Sequence, residues 1–249
     1  MSRTPDERSP DFGRLAAEYD RIRPADDNWR EIYELVRDEA DVRGRRVLDC
    51  GCGTGRLCAA LVADGAEVRG VDPEERMLEV ARARLPADVM LEQRSAESLP
   101  FEDGCFERAV LWLVCHLLDR PRAFAELRRV LDQGGLLAIV SFDSSHFDGF
   151  WLNAYFPSLE AIDRGRFPTR ELLNAELGEA GFTSVRFVRR SQHASLSRSE
   201  ALERIERGHI STFDLIDPGE VARGRALARE TLPATVEYAL EWLLAFARR

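Results

Sequence analysis

Lysine is absent from the chain of 249 residues, and all 35 of its basic residues are arginine. A lysine amine is needed to form Schiff bases with carbonyl substrates, to anchor pyridoxal phosphate, and to contact phosphates in the Walker A loop. These enzyme classes are therefore excluded for this chain. Basic charge is also in the minority, since 44 acidic residues give a net charge of −9. A protein of this sign repels phosphate backbones, and we expect no nucleic-acid partner.

Long apolar runs are missing as well, and none approaches the roughly 20 residues that a membrane-spanning helix requires. The first residues, MSRTPDERSPDFGR, are charged and have no apolar centre. We therefore expect no membrane segment and a cytoplasmic location. The cysteines lack the paired spacing of zinc sites, and we expect small buried side chains in a reducing compartment and no metal site, with a disulfide or a metal as the alternative. The five cysteines are Cys50, Cys52, Cys58, Cys105 and Cys115.

Glycine, in contrast, is concentrated in one stretch, VLDCGCGTGRL, at residues 47–57. Its first residues predict the end of a buried strand, and from Arg56 onward apolar residues recur at helical spacing. Between the strand and the helix stand Gly51, Gly53 and Gly55, where side chains would obstruct a ligand. This position indicates a loop that binds a small ligand, although glycine spacing alone also fits a purely local turn.

An acid follows the next predicted strand. The strand covers Glu67 to Val71 and ends at Asp72, about twenty residues beyond the glycine loop. In nucleotide-binding folds an acid at this place accepts hydrogen bonds from both ribose hydroxyls, and an ionised carboxylate suits a vicinal diol because it only accepts. The alternative is that Asp72 caps the helix predicted from Glu74 to Leu85. Because strand end, spacing and glycine loop agree, we favour the ribose hypothesis.

Strands and helices alternate from residue 45 to residue 142. Three further strands are predicted in this region, at 89–93, 108–113 and 136–142. Such alternation predicts an α/β fold with a doubly wound, mostly parallel sheet that binds its ligand at the carboxyl ends of the strands. Two helical patterns precede the first strand, one at 12–23 and one that starts after Asp26 or Asp27, and we expect them to form an N-terminal arm.

The chain divides into four predicted parts. They are an N-terminal tail and helical arm at 1–44, a ligand-binding α/β core at 45–190, a helical lid or insertion at 191–234, and a final segment at 235–249. A sixth strand is predicted at 183–188, at the end of the core. The apolar spacing of the final segment is compatible with a helix.

Four stretches of the chain occur in an order and spacing that resemble one protein family. They are VLDCGCGTG, GVDPEERMLEVAR, SAESLPFEDGCFERAVLWLVCHLL and RRVLDQGGLLAIVSF, and they lie within residues 45–142. Together they are similar to class I S-adenosylmethionine-dependent methyltransferases of the type 11 small-molecule branch. The resemblance implies a Rossmann-like sheet of seven strands, in which residues 235–249 form an antiparallel final strand and not a helix.

The resemblance also implies which residues hold the methionine end and the sugar of S-adenosylmethionine. Asp49 and the backbone from Gly51 through Gly53 to Gly55 would hold the methionine end, and Asp72 would hold the ribose. The chemistry agrees with this placement, because a carboxylate such as Asp49 attracts the methionine ammonium. The cofactor carries a cationic sulfonium and no phosphate, so its loop needs no lysine clamp.

The adenine end is implied by two further segments. Met77 would pack near the adenine ring, and Ser95, Ala96 and Glu97 would face its edge. The family usually has an aspartate where Ser95 stands, and a hydroxyl is a weaker acceptor for the adenine amino group than a carboxylate.

Candidate acceptor-site residues lie outside these motifs. His116 matches a histidine that the family often carries after the fourth strand and is the candidate general base for a hydroxyl acceptor, with His146 second; the alternative is a histidine that packs or caps a loop. Tyr19 and Arg23 resemble a pattern that these enzymes place over the active site. Arg23 would bind an acceptor carboxylate, or else form a surface salt bridge. Trp151 belongs to an aromatic stretch that either covers the acceptor or simply packs on the sheet.

We therefore expect a methyltransferase that moves a methyl group from S-adenosylmethionine to a small-molecule acceptor by in-line displacement, as a monomer or homodimer. Positioning supplies effective molarities of roughly 10⁵ to 10⁸ M, whereas a general base adds about 10² to 10⁴. Two alternatives remain. One is a catalytically silent S-adenosylmethionine-binding regulatory protein, and the other is a nicotinamide-dependent oxidoreductase, whose short-chain branch usually needs a Tyr-x-x-x-Lys pair. The acceptor is not predictable, because acceptor pockets are built from variable loops.

Overall fold

A computed structural model describes residues 12–249, in which seven strands pair into one sheet. The strands are β1 (Arg46–Cys50), β2 (Glu67–Asp72), β3 (Met90–Gln93), β4 (Phe106–Trp112), β5 (Leu131–Phe142), β6 (Thr183–Ser197) and β7 (Thr235–Arg248). Their order is β3-β2-β1-β4-β5-β7-β6, with β1 to β5 parallel and β7 antiparallel to both β5 and β6. The predicted α/β fold with a doubly wound, mostly parallel seven-stranded sheet is confirmed.

Helices cover both faces of this sheet. They are α1 (Tyr19–Ile22), α2 (Asp27–Ala40), α3 (Arg56–Ala63), α4 (Glu75–Arg84), α5 (Arg120–Val130), α6 (Leu159–Arg166), α7 (Arg170–Glu179), α8 (Arg198–Arg207) and α9 (Pro218–Thr231). Successive strand residues point to opposite faces, so Val47 packs with α2, α3 and α4 while Leu48 packs with α5 and α7. Apolar burial on both faces is what a parallel strand in the middle of such a sheet requires.

A third apolar cluster lies beyond the carboxyl edge of the sheet. It joins α8 and α9 to the segment around α6, through side chains such as Phe156, Ile205 and Phe213. Residues 198–234, which we call the lid, rise from the two-stranded ribbon that β6 and β7 form after β5 has ended. The N-terminal arm lies against the lid through ion pairs, including one between Glu18 and Arg207.

The predicted boundary of the lid needs correction. Helical structure was expected from residue 191, but β6 continues to Ser197, and α8 begins there with a capping box formed by Ser197 and Glu200. The burial of residues 191–197 alternates, with Gln192 and Leu196 inside. This alternation is the period of a strand, and it was hidden by the polar character of the segment. The division of the chain into four parts otherwise remains a prediction, and the predicted tail up to residue 11 lies outside the described residues.

The ends of two other elements also differ from expectation, whereas the final segment is the antiparallel strand that the family resemblance implied. The arm helix predicted at 12–23 is a 3-10 turn at Gly13–Leu15 followed by the short α1. The strand predicted at 136–142 is β5, which already starts at Leu131, so Gly134 and Gly135 lie inside it where its pairing with β4 shifts register. The final segment is a strand despite its helix-like spacing. Residues 242–247 are buried between β5 and β6, and such a continuous apolar run carries no period that separates a strand from a helix.

Candidate functional site

The glycine loop connects β1 to α3 and turns sharply. Gly51, Gly53 and Gly55 all have positive φ, at +84°, +53° and +75°, a region that other residues rarely adopt. A Cβ on Gly51 would lie 2.6 Å from the side chain of Val114, whereas a Cβ on Gly53 would meet nothing within 4 Å. Gly51 is therefore required for close packing, and Gly53 leaves open space at the surface of the cavity described below.

Gly55 has a different surrounding from the other two glycines. A Cβ there would lie 2.9 Å from Ala81 and Leu85, so the residue permits α3 to approach the end of α4. Gly51 and Gly53 line the cavity, and Gly55 does not. Gly55 was predicted to hold the cofactor, but it packs against the end of α4 and does not line the cavity.

Asp72 is the last residue of β2 and joins two loops. Its Oδ2 accepts a hydrogen bond from the backbone N–H of Gly53 at 2.9 Å, and its Oδ1 accepts one from the N–H of Glu74 at 2.9 Å. Each oxygen keeps a further lone pair for a ligand hydroxyl. The residue is 9% exposed, and burial raises the pKa of its carboxyl. The cap of α4 is Glu74 itself, whose side chain accepts from Arg76, so Asp72 is not the capping residue of this helix.

Asp49 lies deeper, at the end of β1. Its side chain is 1% exposed, and its Oδ2 accepts a hydrogen bond from the Cys58 thiol at 3.1 Å. Burial raises the pKa of Asp49 to about 7, and the negative charge of Asp72 adds to this effect. Within residues 12–249 no arginine or histidine forms an ion pair with Asp49. A buried carboxylate that has no cationic partner in the protein is stabilised when a ligand brings a cationic group to it.

The segment after β3 and the start of α4 form the opposite wall. Met77 and Ala96 are buried there, and both line the cavity with Ser95 and Glu97. The hydroxyl of Ser95 donates to Glu97 Oε2 at 2.7 Å, and Glu97 Oε1 accepts from the N–H of Asp119 at 2.9 Å. Glu97 therefore fixes the loop that follows β4, and the Ser95 oxygen keeps lone pairs that can accept from a ligand.

These residues line one cavity of about 1000 Å³ at the carboxyl edge of the sheet. Except for Gly55, it brings together every residue that the sequence analysis proposed for the cofactor and the acceptor. It continues from the glycine loop into a region with mostly aromatic walls, which we call the aromatic chamber. The chamber is lined by Phe142, His146, Phe147, Phe150, Trp151, Phe167, Tyr238 and Trp242.

Half of the aromatic chamber was missed by sequence reasoning, which proposed His146 and the aromatic stretch that contains Phe147, Phe150 and Trp151. The other rings come from β5, β7 and the turns around α6, and they were indistinguishable from core residues by pattern. All four tryptophans of the chain line the cavity, where Trp29 and Trp112 stand with ring centroids 5.3 Å apart. Of the four tryptophans, Trp112 is the one at the end of a strand, so a position at the carboxyl edge of the sheet was a signal in the sequence for that residue alone.

Two histidines face the chamber in stacked arrangements. His116 stacks on Phe167 with ring centroids 4.0 Å apart, and its buried Nδ1 has no hydrogen-bond partner among residues 12–249. Burial, together with the charges of Arg166 and Arg23, lowers the pKa of His116 well below 6.5. His146 stacks on Phe142 at 4.0 Å, and its Nδ1 accepts from the N–H of Glu241 at 3.4 Å.

Burial also lowers the pKa of His146 to about 4. Both His116 and His146 are therefore neutral near pH 7. A neutral imidazole has one unprotonated nitrogen; in His146 this is the Nδ1 that already accepts from Glu241, so of the two residues only His116 has an unprotonated nitrogen free to accept a hydrogen bond or a proton. His146 uses one of its nitrogens to hold the β7 backbone, whereas neither nitrogen of His116 is engaged within the described part of the chain.

The N-terminal arm closes one side of the cavity with Tyr19 and Arg23. The Arg23 Nε donates to the carbonyl of His209 at 2.9 Å, and its guanidinium lies 5.7 Å from the centroid of the Tyr19 ring. No carboxylate among residues 12–249 forms a salt bridge with Arg23. The surface salt bridge considered as the alternative is therefore not formed, and the guanidinium faces the cavity with unpaired N–H groups.

Among the described residues, no group of three or more His, Cys, Asp or Glu side chains is arranged to hold a metal ion, and the five cysteines are free thiols. No helix in the same part of the chain has the length and apolar character to cross a bilayer.

Comparison with known proteins identifies the class. A family model described as a methyltransferase domain matches residues 48–139. The chain is 32% identical over 212 residues to demethylmenaquinone methyltransferase of Clavibacter sepedonicus, covering 74% of this chain and 86% of that protein. It is 37% identical over 191 residues to malonyl-[acyl-carrier protein] O-methyltransferase of Geobacter sulfurreducens, covering 70% and 69%. Among solved structures, the YcgJ protein of Bacillus subtilis has a TM-score of 0.63 at 22% identity, covering 88% and 98%.

The strand order and the cavity at the glycine loop define a Rossmann-like enzyme fold. The relatives specify that the enzyme class is methyltransferase. The chain belongs to the S-adenosylmethionine-dependent methyltransferase family. The predicted family and enzyme class are confirmed, and none of these comparisons supports an oxidoreductase.

Proposed function

We propose that this chain binds S-adenosylmethionine at the glycine-loop end of the cavity and transfers its methyl group to a small molecule seated in the aromatic chamber. The observation that carries the proposal is the continuity of the cavity, which runs without a dividing wall from Asp72 and the glycine loop to the stacked histidines. A methyl donor and its acceptor must meet in one water-excluding space, because the reaction gains most of its rate from positioning.

The cofactor would be held by groups whose chemistry matches its three parts. Asp49 is a buried carboxylate without a cationic partner in the described residues, and it suits the methionine ammonium. Asp72 offers one spare lone pair on each oxygen, which suits the two ribose hydroxyls. Met77, Ser95 and the neighbouring Ala96 and Glu97 provide an apolar wall and an acceptor oxygen for the adenine.

The chemical step needs little from the protein beyond geometry. A lone pair on the acceptor atom forms a bond to the methyl carbon as the carbon–sulfur bond breaks, and the electron pair stays on sulfur, which leaves as a neutral thioether. When the acceptor is a hydroxyl, its proton needs a base. His116 is neutral, lies in the cavity and has free nitrogen capacity, so it is the residue proposed to take this proton.

The acceptor proposed is a molecule with a flat ring. Stacked and tilted rings such as Phe142, Trp151 and Phe167 present apolar faces that favour offset stacking with another planar group. Demethylmenaquinone, named in one relative, is a compound of this shape. Tyr19, Arg23, His146 and Trp151 are proposed to contact the acceptor, as the sequence pattern predicted.

The proposal is tested by ligand-induced stabilisation. At a concentration of 100 times the dissociation constant, a ligand adds about 2.7 kcal/mol, which raises Tm by roughly 5 to 10 °C for a domain of this size. S-adenosylmethionine and S-adenosylhomocysteine should give this shift, and NAD should give none. Asp72→Ala should abolish it, whereas Asp88→Ala, on an exposed turn, should retain it. A shift with NAD alone would overturn the proposal.

A further inference from the structure

Two arginines face the acceptor side of the cavity without acidic partners. Arg23 reaches it from the N-terminal arm and Arg204 reaches it from α8 of the lid, and both are partly buried. Neither forms a salt bridge with any carboxylate in residues 12–249, although most of the surface arginines around them do. A guanidinium that is sheltered from water and unpaired is a receptor for an anion.

Each of the two side chains is fixed in place by a single hydrogen bond to the wall. The Arg204 Nη1 donates to the hydroxyl of Tyr238 at 3.3 Å, and the Arg23 Nε donates to the carbonyl of His209 at 2.9 Å. Both bonds leave the remaining N–H groups of the guanidinium unpaired in the described structure. Tyr238 belongs to the aromatic chamber, so Arg204 marks the end of that chamber which lies under the lid.

The acidic groups near these arginines are already engaged. Asp163 is the buried carboxylate on this side, and it accepts from Thr212 Oγ1 at 2.5 Å and lies 3.5 Å from Arg166. Glu200, one turn before Arg204 on α8, is held by Ser197 at the exposed start of the helix. The charge of Arg23 acts on Asp163 and that of Arg204 acts on Glu200, but within residues 12–249 neither carboxylate lies within salt-bridge distance of these arginines, so their outer N–H groups stay unpaired.

His209 lies close to both arginines and adds no charge to this end of the chamber. His209 is buried, and its Nδ1 lies 3.0 Å from the carbonyl oxygen of Arg204. Burial and the nearby charges of Arg23 and Arg204 lower its pKa well below 6.5, so it is neutral near pH 7. The chamber therefore ends in two positive charges and a neutral imidazole.

We infer that the methyl acceptor carries an anionic group, a carboxylate in the first place, which binds between Arg204 and Arg23 while its ring lies in the aromatic chamber. This inference rests on the proposed function, because it assigns the charge of the acceptor for that same site. A neutral ring compound leaves both guanidinium groups unpaired under the lid, and an anionic one compensates them. The charge of the acceptor therefore decides its affinity more than the size of its ring.

The test uses a matched pair of probes, 1-hydroxy-2-naphthoate and 1-hydroxy-2-naphthamide, which share their rings and hydroxyl and differ in charge. Each is titrated calorimetrically into the full chain saturated with S-adenosylhomocysteine, and quenching of the cavity tryptophans reports that the probe lies in the chamber. The naphthoate should bind at least about tenfold more tightly than the amide, since charge-assisted hydrogen bonds are roughly twice as strong as neutral ones.

Two variants of α8 locate the anion site. Arg204→Gln should remove the preference for the naphthoate. Arg207→Gln loses the same charge from the same helix but from the outer side, where Arg207 pairs with Glu18 and Glu203, and it should keep the preference. If Arg204→Gln fails to fold, as judged by circular dichroism, Arg204→Lys retains the positive charge and should keep most of the preference.

Several results would overturn the inference. Equal affinity of both probes for the unmodified protein, absence of binding by either probe, or an equal effect of the two glutamine variants would each do so. A loss of S-adenosylhomocysteine affinity in Arg204→Gln would show that the anion is the cofactor carboxylate and not the acceptor. Titration of S-adenosylhomocysteine alone tests the proposed function separately, because that function fails if this ligand does not bind.

Discussion

Replacing Asp49 by asparagine should stabilise the ligand-free protein and weaken its binding of S-adenosylmethionine. Burial raises the pKa of this carboxyl from 3.8 to about 7 in the folded chain, and unfolding returns it to its ordinary value. Between about pH 4 and pH 7, the carboxyl of Asp49 is therefore protonated in the folded protein and ionised in the unfolded chain. Protonated Asp49 contributes stability that is fully present below about pH 4 and is lost as the pH rises through about 7.

The magnitude follows from the same values. At about 1.36 kcal/mol per pKa unit, Asp49 costs the fold about 4 kcal/mol at pH 8, where it is buried as a carboxylate, and about 2 kcal/mol at pH 5, where folding requires it to take up a proton. Asparagine has the same shape and no charge, and its oxygen still accepts from the Cys58 thiol. Asp49→Asn should therefore raise the free energy of unfolding by up to these amounts, with the larger gain at the higher pH.

The assay is denaturant unfolding of the ligand-free protein at pH 5 and pH 8, with calorimetric titration of S-adenosylmethionine at both. Affinity of the unmodified protein should rise with pH through about 7, since the ammonium pairs with the carboxylate. The exposed change Asp88→Asn serves as the control. The reasoning is refuted if Asp49→Asn gains the same stability at both pH values, or if its affinity for S-adenosylmethionine equals that of the unmodified protein.

Three further predictions concern the acceptor side. Arg23→Ala should raise the KM of the acceptor and leave cofactor affinity nearly unchanged, and equal loss of both in steady-state and binding measurements would assign Arg23 a folding role. His116→Asn should lower kcat by about 10² with a hydroxyl acceptor; because the pKa of His116 lies well below 6.5, the kcat of the unmodified enzyme should show no loss from this group between pH 8 and pH 6.5. Glu18→Gln removes the ion pair with Arg207, so it should lower the free energy of unfolding by less than about 1 kcal/mol while increasing amide hydrogen exchange in α8; unchanged exchange would show that the arm does not restrain the lid.

The glycine-loop half of the cavity was predictable because its determinants are local. Asp49 lies at the end of β1, the glycines follow it in the next loop, and Asp72 ends the next strand. Since β1 and β2 are neighbouring parallel strands, their carboxyl ends bring these residues together. Gly55 shows the limit of such local reasoning. It belongs to the same glycine pattern, yet its missing side chain makes room for Ala81 and Leu85 and not for a ligand.

The acceptor half was not predictable, because it is assembled by tertiary structure. Phe142, Phe167 and Trp242 come from β5, the turn after α6, and β7, and only the antiparallel insertion of β7 beside β5 brings them together. In the sequence each looks like an ordinary core aromatic. Arg204 could not be predicted either, because α8 contains several arginines and the sequence does not show which of them faces the cavity.

The ribbon of β6 and β7 carries the lid as a single insertion in the chain. Ser197 is paired directly with Thr235, so the chain leaves and re-enters the sheet at adjacent points around residues 198–234. That insertion is in effect a very long hairpin loop, and no strand needs to be cut to exchange it. A graft of the corresponding segment from a relative should therefore alter which molecules are methylated while the glycine-loop half of the cavity stays intact.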